Sequence, residues 1–299
     1  MGFTRTEEQF DSRGVRCAAA VFRPESQTGP AVVMAHGFNG VRALRLYAYA
    51  ERFADAGYTV VVFDYRGFGE SEGEPRQVLD IDAQLDDWRS ALKFTRALDG
   101  VDAGKVVAWG TSFSGGHVIT LAASGEPLAA VIAQVPHISG PAAVRATGVK
   151  QSLRLAPYAL GDQVRSLLGR APLYVAAAGT PGSKAVMATP DAEPGYSKLI
   201  SESGLTPDAY PMDVAGRILL RIGLYSPGRH ASAITCPALV QIVTEDSITP
   251  TAVALKAASK IRNGVVKTYP GGHFDPYVEP LFPTVIADQL AFLADAVPV

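Results

Sequence analysis

The sequence predicts an α/β protein, a mostly parallel twisted sheet with helices on both faces and a long insertion before the last strands. Three observations predict it. Short β-branched runs alternate with longer segments of helical period. Several runs end directly on a glycine-, histidine- or aspartate-bearing turn, which is where open α/β sheets carry ligands. Between two of the runs lies a proline-punctuated stretch too long for a loop and too apolar for a linker.

In chain order, VRCAAAVFRP (15–24) reads as an antiparallel edge strand leading in. AVVMAH (31–36), TVVVFDY (59–65), KVVAWG (105–110) and AAVIAQV (129–135) follow as core strands. In segment 80–98, Ile81, Leu85, Trp88, Leu92 and Thr95 recur at steps of four and three, giving one buried helical stripe. Asp80 is placed to cap that helix and Gly100 to end it. From 137 to 235 the alternation lapses. Prolines recur there from Pro141 to Pro227, with helix-like pieces at 161–169 and 214–225. The expected division is a core of residues 1–136 and 236–299 around an inserted cap of 137–235. ALVQIV (238–243), VVKTYP (265–270) and a closing helix (283–297) complete the core.

Composition narrows the function classes. Of 299 residues, 47% are hydrophobic and 19% charged, with a formal net charge of -2. A chain of that make-up buries a core, and its interspersed charges give no field to gather nucleic acid or an anionic membrane. Two cysteines, Cys17 and Cys236, are too few for a disulfide framework or a thiolate metal site. No apolar run approaches membrane-spanning length. Gly2 and Thr6 meet the loose N-myristoylation pattern, which is short enough to arise by chance. The expectation is a cytoplasmic protein without nucleic-acid or membrane partners, with homodimerisation left open.

Four short motifs carry chemistry. WGTSFSGG (109–116) stands between a strand and a helix, the setting of a nucleophile elbow. Strand position favours Ser112 as nucleophile, with Gly110 and Ser114 as its small neighbours; the second is normally glycine. The rival register puts Ser114 in that role. HGFNG (36–40) follows the first core strand, so the Phe38 amide, with that of Phe113, becomes an oxyanion donor. His36 beside that loop reads as loop-fixing. TEDSITP (244–250) offers Asp246 as the orienting acid, with Glu245 in reserve. PGGHFDP (270–276) offers His273 as the base. The order Ser112, Asp246, His273 is one of the known orders of a catalytic triad.

His117, His137 and His230 read as packing or surface residues, and no cluster has metal-ligand spacing. The glycines of FDYRGFGESEGEP (63–75) read as turn residues, since the lysine of a phosphate loop is missing.

Together, HGFNG, FDYRGFGESEGEPRQ, WGTSFSGGHV, the Asp246 turn and GGHFDPY resemble bacterial α/β-hydrolases. The similarity is to X-Pro dipeptidyl-peptidase-like and dienelactone-hydrolase-like esterases, over residues 15–140 and 235–298. It implies the α/β-hydrolase fold and a triad of Ser112, Asp246 and His273. The elbow differs from dienelactone hydrolases, which carry Cys there, and from epoxide hydrolases and dehalogenases, which carry Asp. Some relatives of this kind transfer acyl groups in polyketide pathways.

The expected function is hydrolysis of small to medium apolar esters, lactones or thioesters through an acyl-enzyme, with no cofactor and no metal. The alternatives are an acyltransferase or cyclase using the same serine, a peptidase, and a non-catalytic binding protein on this scaffold. In the cap, Leu153, Leu155, Leu167, Leu168, Leu173 and Val175 are expected either to line a dry pocket or to pack cap onto core.

Overall fold

The computed structural model describes residues 2–26 and 29–299. The chain opens with a hairpin, β1 (Phe3–Ser12) and β2 (Val15–Pro24), then runs β3 (Gly29–Ala35), α1 (Leu46–Asp55), β4 (Thr59–Phe63), α2 (Ile81–Arg96), β5 (Val101–Thr111), α3 (Phe113–Ala123) and β6 (Ala130–Gln134). Next come α4 (Gly140–Thr147), α5 (Val149–Leu167), β7 (Tyr174–Ala178), β8 (Ala185–Met187), α6 (Ala192–Glu202), β9 (Asp213–Ala215) and α7 (Leu219–Ile222). The chain ends with β10 (Ala238–Val243), α8 (Thr251–Ala258), β11 (Gly264–Tyr269) and α9 (Phe282–Ala296).

Eight strands form one sheet in the order β1-β2-β4-β3-β5-β6-β10-β11. β2 pairs antiparallel with β1 and with β4, and the other pairings are parallel. Both faces of the central strands β3, β4, β6 and β10 are buried, as parallel strands require. Val33, Val61, Phe63 and Ala108 pack with Leu85 and Trp88 of α2 and Val118 of α3. Their sequence neighbours Val32, Val60, Val62 and Val107 point the other way, toward Phe53 of α1 and Leu293 of α9. Asp80 caps α2, accepting from the Ala83 amide at 2.9 Å, and the five stripe residues of that helix are all buried.

Buried glutamines tie α9 to the sheet. Gln289 accepts from the Trp109 indole at 3.0 Å and donates to Gln134 and Gln241 at 3.0 and 2.6 Å. A buried polar chain of this kind holds register only while every member is paired.

Two expectations need correction. The strand 15–24 is not an edge, because residues 3–12 pair along its outer side. That segment hides its strand character because Thr4 through Glu8 are nearly all exposed, so no alternation is visible, and Arg5, Glu7 and Glu8 are the charges an edge strand uses against mispairing. In the insertion, the piece read at 161–169 is the end of one helix beginning at Val149 and continuing through Pro157. β8-β7-β9 form a separate three-stranded sheet that the sequence reading missed, two of its strands having only three residues. Among the described residues no helix is long and apolar enough to cross a membrane.

Two buried histidines make stability depend on pH. His117 is fully buried between the Tyr225 hydroxyl (2.8 Å) and Gln84 Oε1 (3.0 Å). Burial, with the charges of His137 and His36, pushes its pKa down to about 3. Burial likewise takes His137 down to about 4, the bond to the Tyr225 carbonyl opposing and His273 assisting. The unfolded chain protonates its histidines near pH 6.5, so below that pH it takes up protons that the fold refuses. Stability is therefore lost as pH falls from about 6.5 toward 4, by up to about 2 kcal/mol per histidine between pH 6.5 and 5. Thermal melts should show a lower Tm at pH 5 than at pH 7, and a shallower dependence in His117→Gln.

Candidate active site

Ser112 is the first residue after β5 and the N-cap of α3, with φ 54° and ψ -117°. Non-glycine residues rarely hold that conformation, and here the surroundings enforce it. The Ser112 amide donates to the Gln134 carbonyl at 2.8 Å, and its carbonyl accepts from the His137 amide at 2.8 Å. Gly110 is required for a steric reason: a Cβ there would lie 2.3 Å from the Ser114 carbonyl oxygen.

His273 follows β11 and Asp246 follows β10, so both come to the C-terminal edge of the sheet beside Ser112. His273 Nε2 lies 2.9 Å from Ser112 Oγ, and its Nδ1 lies 2.8 Å from Asp246 Oδ2. The imidazole and the carboxylate are nearly dry, with side-chain exposures of 3% and 2%. Asp246 also accepts from the amides of Ile248 (2.9 Å) and Thr249 (2.6 Å) and from the Thr249 hydroxyl (2.7 Å). Burial pushes its pKa up, but His273 and these donors outweigh burial and hold it below the ordinary carboxylate range. It stays an anion behind the ring. Glu245 is an exposed loop charge, so the reserve acid has no part in this arrangement.

Ser114, the rival nucleophile, is fully buried and turned away. Its Oγ sits 2.8 Å from the Tyr65 hydroxyl and 3.2 Å from the Trp88 indole nitrogen. That pair explains why a serine occupies a position normally given to glycine: its hydroxyl fills a polar niche under the helix.

The Phe38 loop lies against Ser112. A Cβ on Gly37 would come within 2.8 Å of Ser112 Cβ, so only glycine lets the backbone approach so closely. The Phe38 and Phe113 rings meet edge to face at 5.9 Å, a contact between the loop after β3 and the start of α3. The Tyr196 hydroxyl, from the insertion, donates to the Phe38 carbonyl. His36 lies under this loop, its Nδ1 3.0 Å from the Gly37 carbonyl. Gly67, Gly69 and Gly73 all take positive φ, as turn residues do.

Two apolar lobes open on either side of Ser112. One, of about 410 Å³ including space open to solvent, is lined by Leu44, Leu46, Tyr196, Leu199 and Phe274. The other, of about 530 Å³ on the same measure, is lined by Ala143, Thr147, Val186, Ile222 and Ile248. Phe38, Ser112 and Met187 border both. His137 lines the second lobe, its Nε2 3.1 Å from the Tyr225 carbonyl. The sequence reads it only as a packing or surface residue. Met187 was not foreseen at all, and no local motif marks it.

Of the cap residues expected either to line a pocket or to pack cap onto core, none lines either lobe. Leu155 and Val175 are buried, at 3% and 4% exposure, whereas Leu153, Leu167 and Leu168 stand 69%, 78% and 62% exposed. The lobes are lined instead by residues of β8, α4, α6 and α7.

Comparison with known proteins agrees with this architecture. The family model for X-Pro dipeptidyl-peptidase (S15 family) matches residues 13–160, from β2 through the elbow into α5. The quorum-quenching protein AidA of Acinetobacter baumannii is 44% identical over 292 residues, covering 97% of this chain and 95% of that protein. The polyketide transferase ATR5 of Stachybotrys chlorohalonatus is 34% identical over 184 residues, 60% of this chain and 59% of its own. The solved structure of the α/β hydrolase GrgF from Penicillium superposes with a TM-score of 0.83 over 99% of this chain and 100% of that one, at 23% identity. Fold, chain-length similarity and the strand order converge, and the chain belongs to the α/β-hydrolase superfamily.

Proposed function

We propose that the chain hydrolyses carboxylic esters, lactones or thioesters of small to medium apolar substrates, with Ser112 as nucleophile. The observation that carries this reading is the relay from Ser112 Oγ through His273 to Asp246, with both links at hydrogen-bond distance. His273 takes the hydroxyl proton as Oγ attacks the carbonyl carbon, and Asp246 holds the ring tautomer and balances the imidazolium. The amides of Phe38 and Phe113 receive the oxyanion, each worth about 3–4 kcal/mol to the transition state. His273 then protonates the leaving oxygen or sulfur, and the same base activates the water that releases the acid.

The two lobes suit the two halves of an ester, one on each side of its carbonyl. Residues 137–235 act as a cap, supplying Met187 and most of the second lobe. Similarity to a protein named for quorum quenching supports a diffusible signalling molecule as substrate, and this site opens such a molecule at an ester or lactone carbonyl.

Acyl transfer is the second reading, favoured by the 34% identity to a polyketide transferase. It uses the same acyl-enzyme and differs only in whether water or an alcohol or amine acceptor reaches it.

A series of p-nitrophenyl esters beside lactones and thioesters tests the proposal. We expect kcat/KM to rise about two- to fourfold per added methylene until a lobe is filled, then to fall for long chains. No turnover of any of the three classes would remove the reading. An added alcohol that diverts most of the acyl group would replace it by the transferase.

A further inference from the structure

Helix α5 is built inside out. The residues it buries are Gln151, Leu155, Ala159 and Asp162, so half of its inner face is polar. Asp162 is wholly buried and held by Arg217 Nε at 2.7 Å and by the amides of Leu173 and Arg217 at 2.7 and 2.8 Å. Its outer face carries Val149, Leu153, Leu160, Val164 and Leu167, between 54% and 78% exposed. Their spacings of four, seven, four and three place them in one stripe, about 27 Å long at the helical rise. Leu168, 62% exposed, extends it. An apolar stripe of that length on the outside of a folded chain marks a docking face.

We infer that this face docks on an anionic lipid surface. The charge of the segment points there. Residues 140–170 hold Arg145, Lys150, Arg154, Arg165 and Arg170 against a single acid, Asp162, in a chain whose net charge is -2. Asp162 is spent on Arg217. Arg154 donates to Gln151 and the Gly182 carbonyl, and Arg165 to the Ala171 carbonyl. Among the described residues no carboxylate pairs with any of the five. An apolar helical stripe flanked by unpaired cations is the pattern of a helix lying in a lipid interface. A second copy docked antiparallel through the same stripe would instead bring basic flanks together with no acid to answer them.

The stripe also begins at the mouth of the site. Ala143 and Thr147 line the second lobe, while Val144 and Val149 stand outside it, 38% and 75% exposed. Docking by this face sets that lobe beside the lipid, so an apolar substrate dissolved there reaches Ser112 with little passage through water. The docking itself does not rest on the reaction proposed at Ser112. The whole-chain net charge of -2 conceals this basic segment in an acidic remainder.

The test is co-sedimentation of the full chain with vesicles of phosphatidylcholine alone and with about a quarter phosphatidylglycerol. Beside it run a Leu153→Ser/Leu160→Ser/Leu167→Ser variant and a Lys150→Glu/Arg165→Glu variant, with circular dichroism and sedimentation velocity on each. We expect at least about tenfold tighter binding to the anionic vesicles, weakened by salt and reduced about tenfold or more in either variant. The charge variant keeps the test decisive should the leucine variant fail to fold. Three results would overturn the inference: no binding to anionic vesicles, binding that neither folded variant changes, or a stable dimer that the leucine substitutions dissolve.

Discussion

Ser112→Ala is expected to lower kcat by about 10⁶-fold and leave KM nearly unchanged. Removal of Oγ deletes the proposed attacking atom and the 2.9 Å contact with His273 Nε2, while the lobes on either side keep their lining. The oxyanion amides remain, so a residue of about 10³–10⁴ over water should persist. Ser114→Ala is the informative companion. Its hydroxyl is tied to Tyr65 and Trp88 beneath α3, so the substitution should cost about 1–3 kcal/mol of stability and little of kcat. Steady-state kinetics on p-nitrophenyl esters and a denaturant titration check both. Near-normal turnover by Ser112→Ala, or collapse of activity in a folded Ser114→Ala, would reverse the assignment of the nucleophile.

Asp246→Asn should lower kcat by about 10⁴-fold, again with little change in KM. The carboxylate accepts from His273 Nδ1 and so leaves Nε2 free to take the serine proton. An amide nitrogen in its place donates to Nδ1, forces the proton onto Nε2, and presents Ser112 with a donor where it needs an acceptor. The two backbone amides at Ile248 and Thr249 can still be satisfied by the amide oxygen, so the turn should survive. Glu245→Gln, one residue away but exposed, should change kcat less than twofold or so. The pair separates an effect at the ring from a general change of charge near the site.

The core was legible because each β-branched run is also a local unit. Val33, Val61 and Ala108 need no distant partner to declare a buried strand. The geometry of Ser112, Asp246 and His273 was legible for the same reason, each following a strand that ends at the same sheet edge. Ser114 could not be explained from sequence, since its niche is made by Tyr65 and Trp88, respectively 49 and 26 residues away. β1 escaped notice because its side chains are mostly in water and its pattern carries no period. The insertion was illegible for a different reason. In α5 the hydrophobic period is real, but it faces outward, and periodicity gives the apolar face of a helix without saying what covers it.

The most direct measurement is reaction of the folded protein with a fluorophosphonate, followed by peptide mapping of the adduct. One phosphonyl group per chain on Ser112, lost in Ser112→Ala and slowed in Asp246→Asn, is the predicted result. A label on Ser114, or a folded chain that leaves Ser112 unmodified, would contradict it.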